Sequence, residues 1–278
     1  MQLMFYIPEK HYYFLINTQS LLINKMSVLK EIFEKKITSI EKKKKLKSID
    51  QLENEIANNL IPSHNFFDVL NHNNDQIKII AECKKSSPSA GLIVDSYDPI
   101  AICSKYKTKG YKNLSILTEE KYFQGSNEDL TKVKKELNMP ILQKDFIYDE
   151  WQIFEAKSCG ADCIILISEY LNFEQLQSLV KTAESLEISV LVEFHRLEEL
   201  EKIINLNIKN IGINNRNLIS LETNVLHCLD VYEKNKSILK DYNIIAESGF
   251  SSNDDINKYL DYGIERFLIG EHLLKESF

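Results

Sequence analysis

Arginine is nearly absent from this chain: Arg196, Arg216 and Arg266 are the only three among 34 basic residues. Lysine serves wherever a plain positive charge suffices, so an arginine in a strand-end segment such as INNRN marks a place that calls for a planar, two-pronged donor. Long apolar runs are missing too. None reaches the roughly 18 residues of a membrane-spanning helix. The opening stretch MQLMFYIPEKHYYF is interrupted by Pro8, Glu9, Lys10 and His11, which does not suit a secretory signal. The five cysteines, Cys83, Cys103, Cys159, Cys163 and Cys228, contain no CxxC pair. The usual zinc and redox spacings are thereby excluded. Cys159 and Cys163 stand four apart, but the Gly160 turn and the start of an apolar strand separate them. A reduced, cytoplasmic protein without a structural metal is expected. Excess positive charge is also lacking, with a net charge of −7. That argues against nucleic acid or an anionic membrane as the main partner, and an anionic ligand would have to be held by local groups. The basic run Lys42 to Lys45 reads as the wet face of a helix.

What the chain does contain is a repeated alternation. Eight short β-branched runs recur at Ile77–Glu82, Asn113–Leu117, Pro140–Gln143, Cys163–Ser168, Ser189–Glu193, Asn210–Asn214, Asn243–Glu247 and Arg266–Ile269. Helical periods such as Leu171–Ser185 and Leu197–Asn205 lie between them. Strict strand–helix alternation demands a parallel sheet, and eight units in about 200 residues fit a closed (β/α)8 TIM barrel of the α/β class better than an open sheet. Of the eight glycines, Gly110, Gly160 and Gly263 follow helical patterns, where a left-handed cap is expected. Gly91, Gly125, Gly249 and Gly270 fall at or beyond strand carboxyl ends. Ahead of the barrel, Val28, Leu29, Ile32, Phe33, Ile37 and Ile40 mark one amphipathic helix and Ile49, Leu52 and Ile56 another. The expected organisation is a leader over 1–25, an N-terminal helical extension over 26–75 and a barrel over 76–278.

In such a barrel the strand carboxyl ends converge on one mouth. There the sequence places Glu82 and Lys84, then Lys144, Glu193, Asn214 with Arg216, Glu247 to Gly249, and Gly270 with Glu271. A lone charge at a strand end is usually solvated. Several in apolar contexts such as IIAECKK, ILQKDF and VLVEF must be paired or used. Arg216 suits a carboxylate. Ser248, Gly249, Gly270 and Glu271 offer small residues and free backbone N–H groups where barrels commonly hold phosphate. Arg196 and Arg266, in helix-start and pre-strand contexts, read as structural or solvated, and His195 as a loop residue within reach of the mouth.

The segments IIAECKKSSPSAGLI, LSILTEEKYFQGS, PILQKDFI, LVEFH, IGINNRNL, AESGF and FLIGEHLL, in that order and spacing, resemble the signature blocks of indole-3-glycerol-phosphate synthases. The likeness runs from residue 26 onward, although family members usually continue into a longer last helix and many carry Ser or Ala at the position of His272. The resemblance implies a carboxy-lyase of tryptophan biosynthesis that closes the indole ring on a phosphorylated anthranilate substrate without a cofactor. It implies active-site positions for Glu82, Lys84, Lys144, Glu193, Asn214 and Ser248; the chemistry asks for a general acid, Lys144 or Lys84, the latter alternatively holding the phosphate, and for a base, Glu193, with Glu82 orienting the lysines or sharing that duty. Arg216 matches a contact to the anthranilate carboxylate, and Phe123 and Phe146 match aromatics near the substrate ring. Ser87 and Glu247 complete the expected substrate contacts, and other tryptophan-pathway enzymes are the protein partners to consider. Two alternatives stay open at this point: another phosphate-binding barrel, such as a tryptophan synthase α subunit or a phosphoribosylanthranilate isomerase, the latter of which should pair a strand-end Cys with an Asp where Cys83 here precedes Lys84, and an inactive partner barrel.

Overall fold

The computed structural model describes residues 30–59, 61–72 and 75–275. The expected leader over 1–25 lies outside the described residues. Eight parallel strands close into a barrel: β1 (Lys78–Cys83), β2 (Asn113–Leu117), β3 (Ile141–Lys144), β4 (Cys163–Ile167), β5 (Ser189–Phe194), β6 (Asn210–Asn214), β7 (Asn243–Glu247) and β8 (Arg266–Ile269). Each expected run lies within one residue of an observed strand. Every strand pairs with its neighbours in sequence, and β8 returns to β1 through the register Lys78↔Arg266 to Ala81↔Ile269.

Among the described residues three helices precede the barrel: α1 (30–46), α2 (Ile49–Asn58) and α3 (Phe66–Asn71). The barrel helices are α4 (Pro99–Thr108), α5 (Asn127–Leu137), α6 (Glu150–Cys159), α7 (Phe173–Ser185), α8 (Leu200–Ile204), α9 (His227–Lys234), α10 (Lys236–Leu239), α11 (Asn253–Leu260) and α12 (Glu271–Lys275). Their starts follow side-chain chemistry. Asp98 accepts from Ile100 N and Ala101 N just ahead of Pro99, and Asp149 and Asn172 close reciprocal capping boxes with Gln152 and Gln175. The Asn172 box is why α7 begins at Phe173, two residues later than the periodicity suggests, after a 3-10 turn at Ser168–Tyr170. Among the described residues no helix is long and apolar enough to cross a membrane.

The barrel interior explains where the charges end up. Ile80, Leu142, Leu191, Ile245 and Leu268 face inward and pack with Phe66, Phe67 and Leu70 of α3, which plugs the amino-terminal end. Strand side chains repeat every second residue. Glu82, Lys144, Glu193, Glu247 and Gly270 stand two residues beyond these apolar positions and therefore on the same inward face, at the carboxyl end.

α1 departs from expectation at two places. Ile37 is 38% exposed, whereas Ile32 and Ile40 are 1% exposed. The buried stripe runs i, i+4, i+8 through Ile32, Lys36 and Ile40, so Lys36 takes the place that the apolar pattern assigned to Ile37. The run Lys42–Lys45 is likewise not simply wet. Lys43 pairs with Glu120 at 2.9 Å and Glu155 at 3.6 Å, and Lys44 with Asp149 at 2.7 Å. The run therefore ties α1 to the barrel, aided by the Trp151 indole, which donates to Lys47 O at 2.8 Å.

Candidate active site

The eleven residues singled out at the strand ends, Glu82, Lys84, Lys144, Glu193, Asn214, Arg216, Glu247, Ser248, Gly249, Gly270 and Glu271, line one cavity of about 660 Å³ at the barrel mouth together with Ser87, Phe123 and Phe146, the three that the resemblance added. The volume is that of a small-molecule site. At its floor the Lys144 ammonium donates to Glu193 Oε2 at 3.0 Å and to Glu247 Oε2 at 2.9 Å. Asn214 Nδ2 donates to the other oxygen of Glu193 at 2.6 Å. Beside them Lys84 Nζ lies 2.5 Å from Glu82 Oε1. The carboxylates are buried while the lysines keep 16% to 19% of their side chains exposed. The ammonium groups thus face the cavity and their counter-ions sit behind them.

Two glycines make this packing possible. A Cβ on Gly212 would stand 2.1 Å from Glu247 Oε1, and one on Gly270 would stand 2.4 Å from Glu82 Oε1. Gly270, expected at a phosphate, here also gives up its side-chain space to a carboxylate. The opposing charges settle the protonation that sequence leaves open. Burial pulls the Lys144 ammonium down, but Glu193, Glu247 and Glu82 outweigh it and raise its pKa above the usual lysine range. Burial pushes the Glu82 carboxyl up, yet Lys84, Lys144 and Arg216 hold it below its ordinary value. Glu247 is pushed up to about 8, by burial first and then by Glu193 and Glu82, against the pull of Lys144. Its Oε1 is buried without a hydrogen-bond partner.

The side wall is apolar. Ile32 of α1 and Phe146 pack with Phe33, Tyr122, Phe123, Ile167, Tyr170, Leu218 and Leu221. The Phe123 and Phe146 ring centroids lie 6.4 Å apart, and Phe33 stacks on Tyr170 at 5.0 Å. Arg216 Nη1 donates to Leu221 O at 3.0 Å, and among the described residues no carboxylate pairs with its guanidinium. Beyond β7, Ser248 and Gly249 take φ values of +68° and +86°. A left-handed serine is strained by about 1 kcal/mol or more. Tyr170, Leu218, Leu221 and Asp145 also line the cavity, and the first three carry no charge at a strand end by which sequence reading could find them. His195 lies outside the cavity lining. Its Nδ1 donates to Asn214 O at 2.8 Å, and its ring stacks on His227 at 3.9 Å.

The family model described as indole-3-glycerol phosphate synthase matches residues 29–277. The chain is 40% identical over 254 residues to the indole-3-glycerol phosphate synthase of Prochlorococcus marinus, covering 90% of this chain and 86% of that protein. It is 39% identical over 249 residues to the enzyme of the same name from Aliarcobacter butzleri, covering 89% and 94%. Among solved structures, an N-acetylmannosamine-6-phosphate 2-epimerase from Clostridium perfringens superposes with a TM-score of 0.52 at 14% identity, over 76% of this chain and 91% of that one. That likeness bears on the fold alone.

Proposed function

Since the chain belongs to the indole-3-glycerol phosphate synthase family, we propose specific roles for its mouth residues in the family's reaction. The enzyme is a carboxy-lyase: it converts 1-(2-carboxyphenylamino)-1-deoxyribulose 5-phosphate to indole-3-glycerol phosphate by ring closure, loss of CO2 and loss of water. An aromatic carbon is a weak nucleophile towards a ketone, so the ketone oxygen must gain a proton as the bond forms. Lys144 supplies it. The observation that carries this reading is the Lys144 ammonium fixed between the Glu193 and Glu247 carboxyl groups at 3.0 and 2.9 Å, which faces it into the cavity. Departure of CO2 from the carbon that bore the carboxylate restores aromaticity and needs no further group.

Dehydration then requires an acid for the leaving hydroxyl and a base for the departing proton. Lys84, paired with Glu82, is the acid, and Glu193, oriented by Asn214, is the base. Glu247 keeps Lys144 in place from behind. Arg216 takes the anthranilate carboxylate, Phe123 and Phe146 flank the ring, and Ser87 contacts the substrate at the rim. The phosphate sits at Ser248, Gly249, Gly270 and Glu271, where the strained turn offers N–H groups. The same reading includes a cytoplasmic enzyme divided into a leader over 1–25, a helical extension over 26–75 and a barrel over 76–278. A small-molecule substrate rather than nucleic acid is its main ligand, and other tryptophan-pathway enzymes are its candidate protein partners.

The test is to incubate the purified protein, without added metal or cofactor, with the carboxyphenylamino substrate and follow indole fluorescence. Turnover that is lost in Lys144→Ala and Glu193→Gln supports these roles. Full turnover in Lys144→Ala removes Lys144 as the acid.

A further inference from the structure

One buried ion pair joins the N-terminal helix to the segment that carries Lys144. Lys36 Nζ stands 2.7 Å from both oxygens of Asp145, and the two side chains are only 8% and 4% exposed. Asp145 is otherwise fully used: Thr118 Oγ1 donates to Oδ2 at 2.7 Å and Phe146 N donates to Oδ1 at 2.7 Å. Thr118 in turn donates its backbone N–H to Lys144 O at 3.1 Å. The carboxylate therefore grips the chain on both sides of Lys144, through Thr118 on one and the Phe146 peptide on the other. Ile32, one helical turn before Lys36, packs against the Phe146 ring itself.

Charge balance makes Lys36 the controlling member. Two neutral donors do not compensate a buried carboxylate; a cation does, and removing it leaves an unbalanced charge that must rearrange or draw in water. The rearrangement would fall on the peptide next to the general acid. Displacements on the order of 1 Å at such a point cost about 100-fold in rate.

We propose that Lys36 is a positioning residue for ring closure: by neutralising Asp145 it fixes the peptide that aims the Lys144 ammonium and the Phe146 ring. The N-terminal helix is then a working part of the active site, although Lys36 touches none of the reacting groups. The proposal rests on the assignment of Lys144, which Lys144→Ala tests by itself.

The experiment compares full-length wild type, Lys36→Met, Lys36→Arg and the double variant Lys36→Met/Asp145→Asn, assayed at a temperature where circular dichroism shows each to be folded. Lys36→Met is expected to lower kcat about 10- to 100-fold while KM changes by less than about 3-fold. In the double variant an Asn oxygen still accepts from Phe146 N, its amide meets Thr118 Oγ1, and no charge is left over. It should regain at least about 5-fold of the lost kcat, and Lys36→Arg should stay within about 3-fold of wild type. Should Lys36→Met not fold, the double variant and Lys36→Gln carry the same reading. If folded Lys36→Met or Lys36→Gln keeps kcat within about 2-fold of wild type and loses only thermal stability, or if the double variant shows no recovery, the proposal is overturned. A deficit in Lys36→Met alongside normal turnover in Lys144→Ala would instead locate the fault in the Lys144 assignment.

Discussion

Two lysines, one at each end of the barrel, have opposite electrostatic fates. Lys134 of α5, at the amino-terminal end, is fully buried and donates to Asp162 Oδ2 at 2.6 Å and to Met139 O at 3.1 Å. Asp162 is saturated in turn by His64 N at 2.7 Å and Ile141 N at 2.8 Å. Burial wins there, and the pKa of Lys134 falls despite its partner. Lys144 at the mouth meets two carboxylates directly and a third at longer range, and its pKa rises. The base matches one lysine with one carboxylate and leaves neither in want of a partner. The mouth sets Glu82, Glu193 and Glu247 against Lys84, Lys144 and, at longer range, Arg216, with one Glu247 oxygen unpartnered. Closed pairs fix a structure; shared and partly exposed ones hold charge ready for a ligand.

The contrast is most sharply tested by removing each lysine. Lys144→Ala should lower kcat by at least about 10²-fold, since general-acid catalysis typically contributes about 10²- to 10⁴-fold, roughly 3 to 5 kcal/mol of barrier. KM should move much less, because phosphate and carboxylate are held elsewhere. Steady-state kinetics decides, and a raised KM with kcat intact would make Lys144 a binding residue. Lys134→Met should do the reverse. It strands the Asp162 carboxylate in the interior at a cost of roughly 3 to 5 kcal/mol, read as a lower midpoint in urea, while kcat of the folded fraction stays at the wild-type value. A catalytic defect in Lys134→Met would dissolve the distinction between the two ends.

A pH titration of stability sharpens the comparison further. The folded pKa of Glu247, about 8, lies above its ordinary value of 4.5. Between those limits the folded protein keeps a proton that the unfolded chain has released, so stability falls as pH rises through that window, by up to about 1.4 kcal/mol per pH unit. Glu82 has the opposite sign. Its depressed pKa contributes stability that is present above the unfolded value and lost in acid as pH falls through the folded one. Glu247→Gln cannot titrate and should show a flatter decline in urea midpoint between pH 5 and pH 8, with the acid limb unchanged. Equal slopes in the two proteins would mean that Glu247 ionises normally.

Much of this was legible from local pattern. β-branched runs locate the strands to within a residue, and reading the residues after each run assembles the mouth, because a parallel barrel turns strand ends into neighbours. What stayed hidden depends on partners far apart in sequence. Lys36 and Asp145 are separated by 109 positions, and nothing in SVLKEIFEKK distinguishes the one lysine of α1 that replaces a core residue. Gly212 reads as an ordinary strand glycine until Glu247, on the adjacent strand, is seen to occupy its missing side chain. Tyr170 lies in a short 3-10 turn, where neither periodicity marks a face.

Arg216 gives the last and smallest prediction, and it divides the mouth within itself. Lys84 and Lys144 are each held by carboxylates of the protein, whereas Arg216 has one backbone carbonyl, Leu221 O, for its Nη1. A guanidinium with no carboxylate at salt-bridge distance among the described residues, in a chain that otherwise uses lysine freely, is suited to a carboxylate brought by the substrate. Arg216→Lys keeps the charge but loses the planar fork. It should raise KM about 10-fold, equivalent to roughly 1.4 kcal/mol of binding, with kcat within a few fold and the thermal midpoint unchanged. Charge alone is enough for a solvated surface group. Unchanged kinetics in Arg216→Lys would therefore place Arg216 outside the substrate's reach and leave the anthranilate carboxylate to the lysines, which the paired geometry at the floor disfavours because both ammonium groups are already engaged.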